Sequence, residues 1–214
     1  MVTPIRHRYR AQVRDEVKQA ALRQLAEGGP QALSINAIAR ELGVSGPALY
    51  RYFAGRDELL TELVVEAYED MAATIGEAAA RTRGKPAPER LRALARAYRA
   101  WAVAHPHRYR LLFAAPVPGY DAHAERLVEA SQGAMNVLAE VLSDNAGAVP
   151  SAALAGELDR WAVSRGIDAG APVALHAVQV WAQLHGFVSL EIGGNFSSMG
   201  LDPDKLFHSA LERL

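Results

Sequence analysis

Residues 34–58, SINAIARELGVSGPALYRYFAGRDE, decide how the whole chain is read. Ile35, Ile38, Ala39 and Leu42 fall at i, i+3, i+4 and i+7, which is one apolar face of a helix. Ser34 stands where that helix needs an N-cap, although no Glu or Gln follows three residues on to complete a capping box. Gly43 tolerates the left-handed conformation that closes a helix, and Val44 is expected to fill the angle behind it. Ser45 is then expected to cap a second short helix, from about Gly46 to Tyr52. Pro47 sits in its first turn, where a missing N–H costs nothing. Helical geometry points Leu49 and Tyr52 to one side, with Phe53 just beyond. Pro47, Tyr50 and Arg51 point to the other, with Gly46 at the edge. The first side is apolar and suits packing on the preceding helix. The second is small, aromatic and cationic, as a helix entering a DNA major groove needs to be. Small residues let the backbone approach, and donors reach phosphates and base edges.

Leu42-Gly43-Val44-Ser45, Ala48-Leu49-Tyr50, Tyr52-Phe53 and Arg56 through Leu60 resemble the helix-turn-helix of the TetR family of bacterial transcription regulators. The resemblance runs from Val13 to Leu63. It implies a three-helix DNA-binding head, and in that family a basic residue at the place of Arg56 contacts phosphate. The plainer alternative is a helical hairpin with a surface tyrosine. A second stretch, Trp181 through Glu191 (WAQLHGFVSLE), resembles the Trp…His-Gly signature in the C-terminal domain of one branch of the same family. It implies a ligand-binding and dimerising domain without identifying a ligand.

The 214 residues allow one large helical domain or two small ones, and half of them are hydrophobic. No run of about eighteen apolar residues occurs, so no membrane span is expected. The N-terminus has no apolar signal region, so secretion is not expected either. The absence of cysteine excludes disulfides and thiolate metal sites and suits a cytoplasmic protein. The net charge of −1 is unevenly spread: residues 1–60 carry nine Lys/Arg against six Asp/Glu, and the remainder fourteen against eighteen. A basic head on an acidic body places the attraction for polyanions at one end.

Residues 1–9 show no helical period and read as an unstructured terminus or as an arm whose Arg6, His7 and Arg8 touch phosphate or the minor groove. A helix from Arg10 to about Glu27 braces the two just described, and Gly28-Gly29-Pro30 stops it. Arg56 opens a helix to about Ala80, with Leu60, Leu63, Val64, Ala67, Tyr68, Met71 and Ile75 on its apolar face. Asp57 and Glu58 suit the positive end of its dipole, whereas Arg56 opposes it and reads either as a phosphate contact or as a solvated cation. Further helices are expected over 91–104, 109–115, 122–143 with Asp121 as cap, 151–165, 172–192 and a short stretch after Asp202-Pro203. The helix over 172–192 is apolar nearly all round and is expected to be buried on every side, most readily in a homodimer. Nothing favours a strand.

Seven histidines occur, none in an HExxH sequence and none preceded by Glu at three residues, which removes the common helical metal signatures. His105 and His107 flank a proline and read as helix-end groups. There is no Gly-rich phosphate loop opening a helix and no Gly-x-Ser-x-Gly, so an enzyme has no motif to rest on. No catalytic residue, metal or cofactor is expected. Met71, Trp101, His105, Tyr109, Phe113, Met135, Trp181 and His185 are candidates for an apolar cavity with polar tips; ordinary core packing is the alternative for each.

The expected protein is therefore all-α. Residues 1–56 form an N-terminal three-helix DNA-binding domain with a helix-turn-helix. Residues 57–214 form a larger helical ligand-binding and dimerisation domain. The DNA contacts are assigned to Ser34, Asn36, Ser45, Gly46, Pro47, Tyr50, Arg51, Tyr52 and Arg56. Arg51 is the first candidate for a guanine contact; Asn36 reaches a base or phosphate. Leu154, Leu158, Trp161, Val180, Leu184 and Phe187 are assigned to the dimer interface. The expected partners are a palindromic double-stranded operator, a second copy of the chain and a small-molecule effector that tilts the helix beginning at Arg56. A helical protein-interaction scaffold and a helical enzyme are the rival readings.

Overall fold

The computed structural model describes residues 4–113, 120, 125–143, 147–167 and 169–213. Its helices are α1 (Pro4–Gly28), α2 (Ile35–Glu41), α3 (Gly46–Leu49), α4 (Arg56–Arg81), α5 (Ala87–Ala104) and α6 (Pro106–Phe113), followed by α7 (Glu125–Leu142), α8 (Ala152–Ser164), α9 (Ala171–Ile192), α10 (Asn195–Ser198) and α11 (Pro203–Leu211). One turn of 3-10 helix, Pro30–Ala32, lies between α1 and α2. Every regular element among the described residues is helical, as the sequence periods require.

The chain forms two compact units, Met1–Ala67 with His107–Leu127, and Tyr68–Pro106 with Val128–Leu214. This differs from a cut after residue 56, for a physical reason. The first core combines Val17, Ala20, Ala21 and Leu25 of α1, Ile35, Ile38 and Ala39 of α2, and Leu49 and Phe53 of the α3 segment with Leu59, Leu60 and Leu63 of α4. Ending the head at Arg56 would remove a wall of that core. Leu111 of α6 and Tyr120 also pack against it, and the Tyr120 hydroxyl lies 3.0 Å from Thr61 Oγ1.

In the second unit α5 buries Leu91, Leu94, Ala95, Tyr98, Trp101 and Ala102. Trp101 donates its indole N–H to Asp70 Oδ2 at 2.8 Å, which satisfies the ring's polar end without water. Arg99 pairs bidentately with Glu191 at 2.7 and 2.6 Å, reaches Asp204 at 2.7 Å and lies over the Phe207 ring. Arg92 donates to the Leu211 carbonyl. Two arginines two turns apart on one face of α5 thus fasten α9 and α11. Gly133 lets α7 approach α4, since a Cβ there would come 3.1 Å from Ala72 Cβ.

Several local expectations are corrected. Helix α1 begins at Pro4, not Arg10; residues 1–3 lie outside the described residues. So do the expected Asp121 cap, residues 115–119 of the expected loop and residues 144–146. Helix α3 ends at Leu49 and the chain continues to Tyr52 as turns. Val44 is 40% exposed and does not fill the angle. Its N–H bonds the Ala39 carbonyl while Gly43 bonds that of Arg40, so a backbone motif closes α2. Ser45 occupies the cap position of α3 with no side-chain cap bond. Pro47 lacks an N–H, and the Ala48 N–H goes to the Ser45 carbonyl, so the hydroxyl has nothing to cap. Helix α9 is not buried on every side within one chain, because Trp181, Ala182, Gln183 and Leu190 are exposed. The short α10 had no period to announce it.

Gly43 has φ +68° with open space around its missing Cβ. Gly43→Ala is therefore expected to cost about 1 kcal/mol by backbone strain alone, read as a lower urea midpoint with an unchanged slope.

Candidate nucleic-acid interface

Helices α2 and α3 present the candidate reader. Ser34 Oγ accepts from the Ala37 N–H at 3.3 Å and its own N–H bonds Gln24 Oε1, so the start of α2 is tied to α1. Its hydroxyl proton is not used by that cap. Asn36 is exposed on α2, and a Cβ at Gly46 would come 3.1 Å from Asn36 Oδ1. The start of α3 thus lies close against the Asn36 side chain. Pro47 and Arg51 are exposed and Tyr50 is 49% exposed, while Leu49 and Phe53 are buried. The division of faces follows the helical period even though regular helix stops at Leu49.

Tyr52 and Arg56 sit differently. The Tyr52 ring is half-buried against the first core, with the Arg10 guanidinium 5.9 Å from its centre. Arg56 is one-third exposed at the start of α4, 3.8 Å from Asp57. Glu58 accepts from the Ala54 N–H and fastens the turn that precedes α4.

Sequence reading missed a set of residues on α1. Arg10 donates to the Arg51 carbonyl at 3.4 Å, and Arg14 donates to the Tyr52 carbonyl. Arg14 also lies over the Phe53 ring at 4.3 Å and pairs with Glu62 at 2.9 Å. One turn further on, Lys18 pairs with Glu66. The signal was present: Arg10, Arg14 and Lys18 recur at i+4 on α1, as Glu58, Glu62 and Glu66 do on α4. Burial opposes the charge on Glu62, but hydrogen bonds from Arg14 and Arg126 outweigh it and hold the carboxyl below its ordinary value. Burial likewise opposes the charge on Lys18, and Glu66 and Asp15 raise its pKa in spite of it.

The body candidates are brought together in pairs. Trp101 and His105 have ring centres 6.0 Å apart, and Tyr109 and Phe113 5.0 Å. Trp181 stacks on His185 at 5.3 Å with planes 12° apart. Met71, Trp101 and Tyr109 are buried, and Met135 packs against the cluster made by α7, α8 and α9. Of the interface candidates, Leu158, Val180 and Leu184 are buried in the chain itself, Leu154 is 38% exposed, and Phe187 packs on Phe196 and Phe207. Trp161 is half-buried. A cleft of about 360 Å³ opens between α9, α10 and α11, lined by Phe187, Leu190, Phe196 and Phe207. Among the described residues no group of three or more His, Asp or Glu could hold a metal, and no helix is long and apolar enough to cross a membrane.

Residues 19–63 match the family described as "Bacterial regulatory proteins, tetR family", and residues 91–214 the one described as "Tetracyclin repressor-like, C-terminal domain". HTH-type transcriptional regulator Rv1816 of Mycobacterium tuberculosis is 32% identical, over 92% of this chain and 88% of its own. The crystal structure of a regulatory protein, SCO4313, superposes with a TM-score of 0.84 at 41% identity, covering 99% of this chain and 98% of that one. FadR from Bacillus subtilis, solved in complex with stearoyl-CoA, shares the fold at 18% identity with a TM-score of 0.63, over 92% and 95% of the two chains.

Two arginines of the reader are expected to behave differently. Arg51→Ala should weaken binding to the preferred duplex by about 1–3 kcal/mol and relax preference at one base pair. Arg56→Ala should weaken binding to every duplex and flatten the salt dependence by about one unit. Fluorescence anisotropy over a salt series checks both; equal loss on all duplexes for Arg51→Ala would assign it to phosphate. In the body, burial lowers the pKa of His185. Unfolded imidazole titrates at about 6.5, so below that value the unfolded chain takes up a proton that the folded chain resists. Stability should therefore fall as the pH drops from about 7 to about 5.5, and His185→Gln should flatten that fall in urea titrations.

Proposed function

This chain belongs to the TetR family of bacterial transcription regulators, and on that premise we propose that it is a homodimeric repressor released from a palindromic operator by a small molecule. The observation that carries the reading is the exposed face of the α3 segment, with Gly46 and Pro47 at its start and Tyr50 and Arg51 beyond. In this reading Gly46 and Pro47 abut the major groove, and Arg51 meets guanine O6 and N7. Asn36 reaches a base or phosphate from α2. Ser34, Ser45, Tyr50, Tyr52 and Arg56 hold phosphates. Two heads related by a two-fold axis occupy successive grooves about 34–36 Å apart, which makes the operator palindromic.

Dimerisation is supported by apolar side chains exposed on α8 and α9. Leu154 is 38%, Val163 80%, Trp181 38% and Leu190 47% exposed. These, with Trp161, are the surfaces proposed to meet a second copy. Leu158, Val180 and Leu184 lie buried within the chain itself.

The effector acts through α4, which contributes to both compact units. A ligand shifts the DNA-binding equilibrium only by as much as it prefers the released state. The proposed contacts are Trp101, His105, Tyr109, Phe113 and His185, with Met71 and Met135; Trp181, 38% exposed, is given to the second copy instead. Because FadR carries stearoyl-CoA, acyl-CoA thioesters are the first compounds to screen.

Selection from random duplexes with the purified chain tests the proposal. It should enrich a two-fold symmetric sequence with half-sites about 10 base pairs, or a multiple of that, apart. Enrichment of single half-sites, or of nothing, would contradict it. Trp181→Glu should convert the dimer to monomers in sedimentation equilibrium and lose palindrome binding. An unaffected dimer would remove Trp181 from the interface.

A further inference from the structure

One carboxylate joins the end of the reader to the start of α7. Arg14 donates from one guanidinium nitrogen to the Tyr52 carbonyl and pairs from the other with Glu62 Oε2 at 2.9 Å. The second oxygen of Glu62 accepts from Arg126 at 3.1 Å. Arg14, Tyr52, Glu62 and Arg126 all lie in the first compact unit. The Glu62 side chain is only 15% exposed and that of Arg126 55%. The pair with Arg14 is therefore the sheltered one, and the pair with Arg126 is open to solvent and easily broken.

Taking α3 as the DNA reader, we infer that Glu62 is a positioning residue for it and that Arg126 sets the reader by fixing how Glu62 meets Arg14. A carboxylate with each oxygen held by a different guanidinium has a fixed rotation. When Arg126 leaves, Oε1 is freed and the carboxylate turns. Arg14 then loses a partner in fixed orientation while it still holds the Tyr52 carbonyl. The residue before that carbonyl is Arg51, so a small shift there moves the side chain aimed at the bases. The shift stays local, because Lys18 and Glu66 keep α1 on α4 one turn away. The device gives the first turn of α7 a route to the reader made of charge, beside the apolar contacts of Leu111 and Tyr120.

The test uses the full chain, a duplex selected by the wild type, and the variants Arg126→Ala, Arg126→Lys, Glu62→Gln and Arg126→Ala/Glu62→Gln. Binding to the selected duplex should weaken about threefold in Arg126→Ala and about tenfold in Glu62→Gln. The double variant should be no weaker than Glu62→Gln alone, because Arg126 acts only through Glu62. Arg126→Lys, which keeps a cationic donor, should bind as the wild type does. The salt slope should not change in any of them, since none loses a phosphate contact. Wild-type affinity in both single variants, losses that add in full in the double variant, or a flattened salt slope would each overturn the inference. If Glu62→Gln fails to fold, Arg14→Lys takes its place in the same cycle with the same expected non-additivity. Failure of the wild type to prefer any duplex would overturn the DNA-reading premise itself, an outcome separate from unaffected variants of a protein that does bind.

Discussion

A four-residue helix cannot hold its own position. Isolated helices shorter than about 12–15 residues are marginal in water, and α3 has neither the length nor a side-chain cap to be an exception. What fixes it is the grip of α1 on the two carbonyls that follow, Arg51 by Arg10 and Tyr52 by Arg14, together with burial of Leu49 and Phe53 beneath. Losing either apolar anchor to alanine would cost about 2–5 kcal/mol. The arginines add direction to that anchoring, since apolar burial holds a segment down without setting its angle. The head is thus a small apolar core with its outer turn set by cations. Arg14 also reaches Glu62 on α4, the helix that contributes to both compact units.

Much of this was legible in the sequence because local rules agreed. The i, i+3, i+4, i+7 stripe of α2, the left-handed glycine at position 43 and the opposed faces around Leu49 and Tyr50 each predicted what the fold contains. The failures have physical causes. The residue type of Ser45 suggests a cap, but a proline two residues on removes the donor such a cap would meet. Val44 was given a packing role that the backbone motif makes unnecessary. The α1–α4 charge ladder was written at i+4 on both helices. Charged residues at that spacing ordinarily read as solvated faces, and only the packing of the two helices shows that they face each other.

The body was less legible. Its helices announced themselves by period, but apolar stripes do not say which side chains line a cavity, fill a core or meet a second copy. Val180 and Leu184 were assigned to an interface on hydrophobicity, and the fold buries both within one chain. Trp181, one position from Val180, is the exposed member of the pair. A helix apolar nearly all round calls for cover on every side, and one chain covers only part of it. The uncovered remainder is what supports the proposal of a dimer. The fastening of α9 and α11 by Arg99 and Arg92 could not be read from spacing, because its partners stand about a hundred residues away.

The exposed face of the α3 segment is proposed to read DNA while α1 holds it in place. A crystal structure of the chain on its selected duplex tests that most directly. The expected complex has α3 in the major groove, Gly46 and Pro47 against it, Arg51 directed at base edges, and Arg14 still bridging the Tyr52 carbonyl and Glu62. A duplex seated on another face, or Arg51 directed away from the bases with Arg14 released, would contradict it.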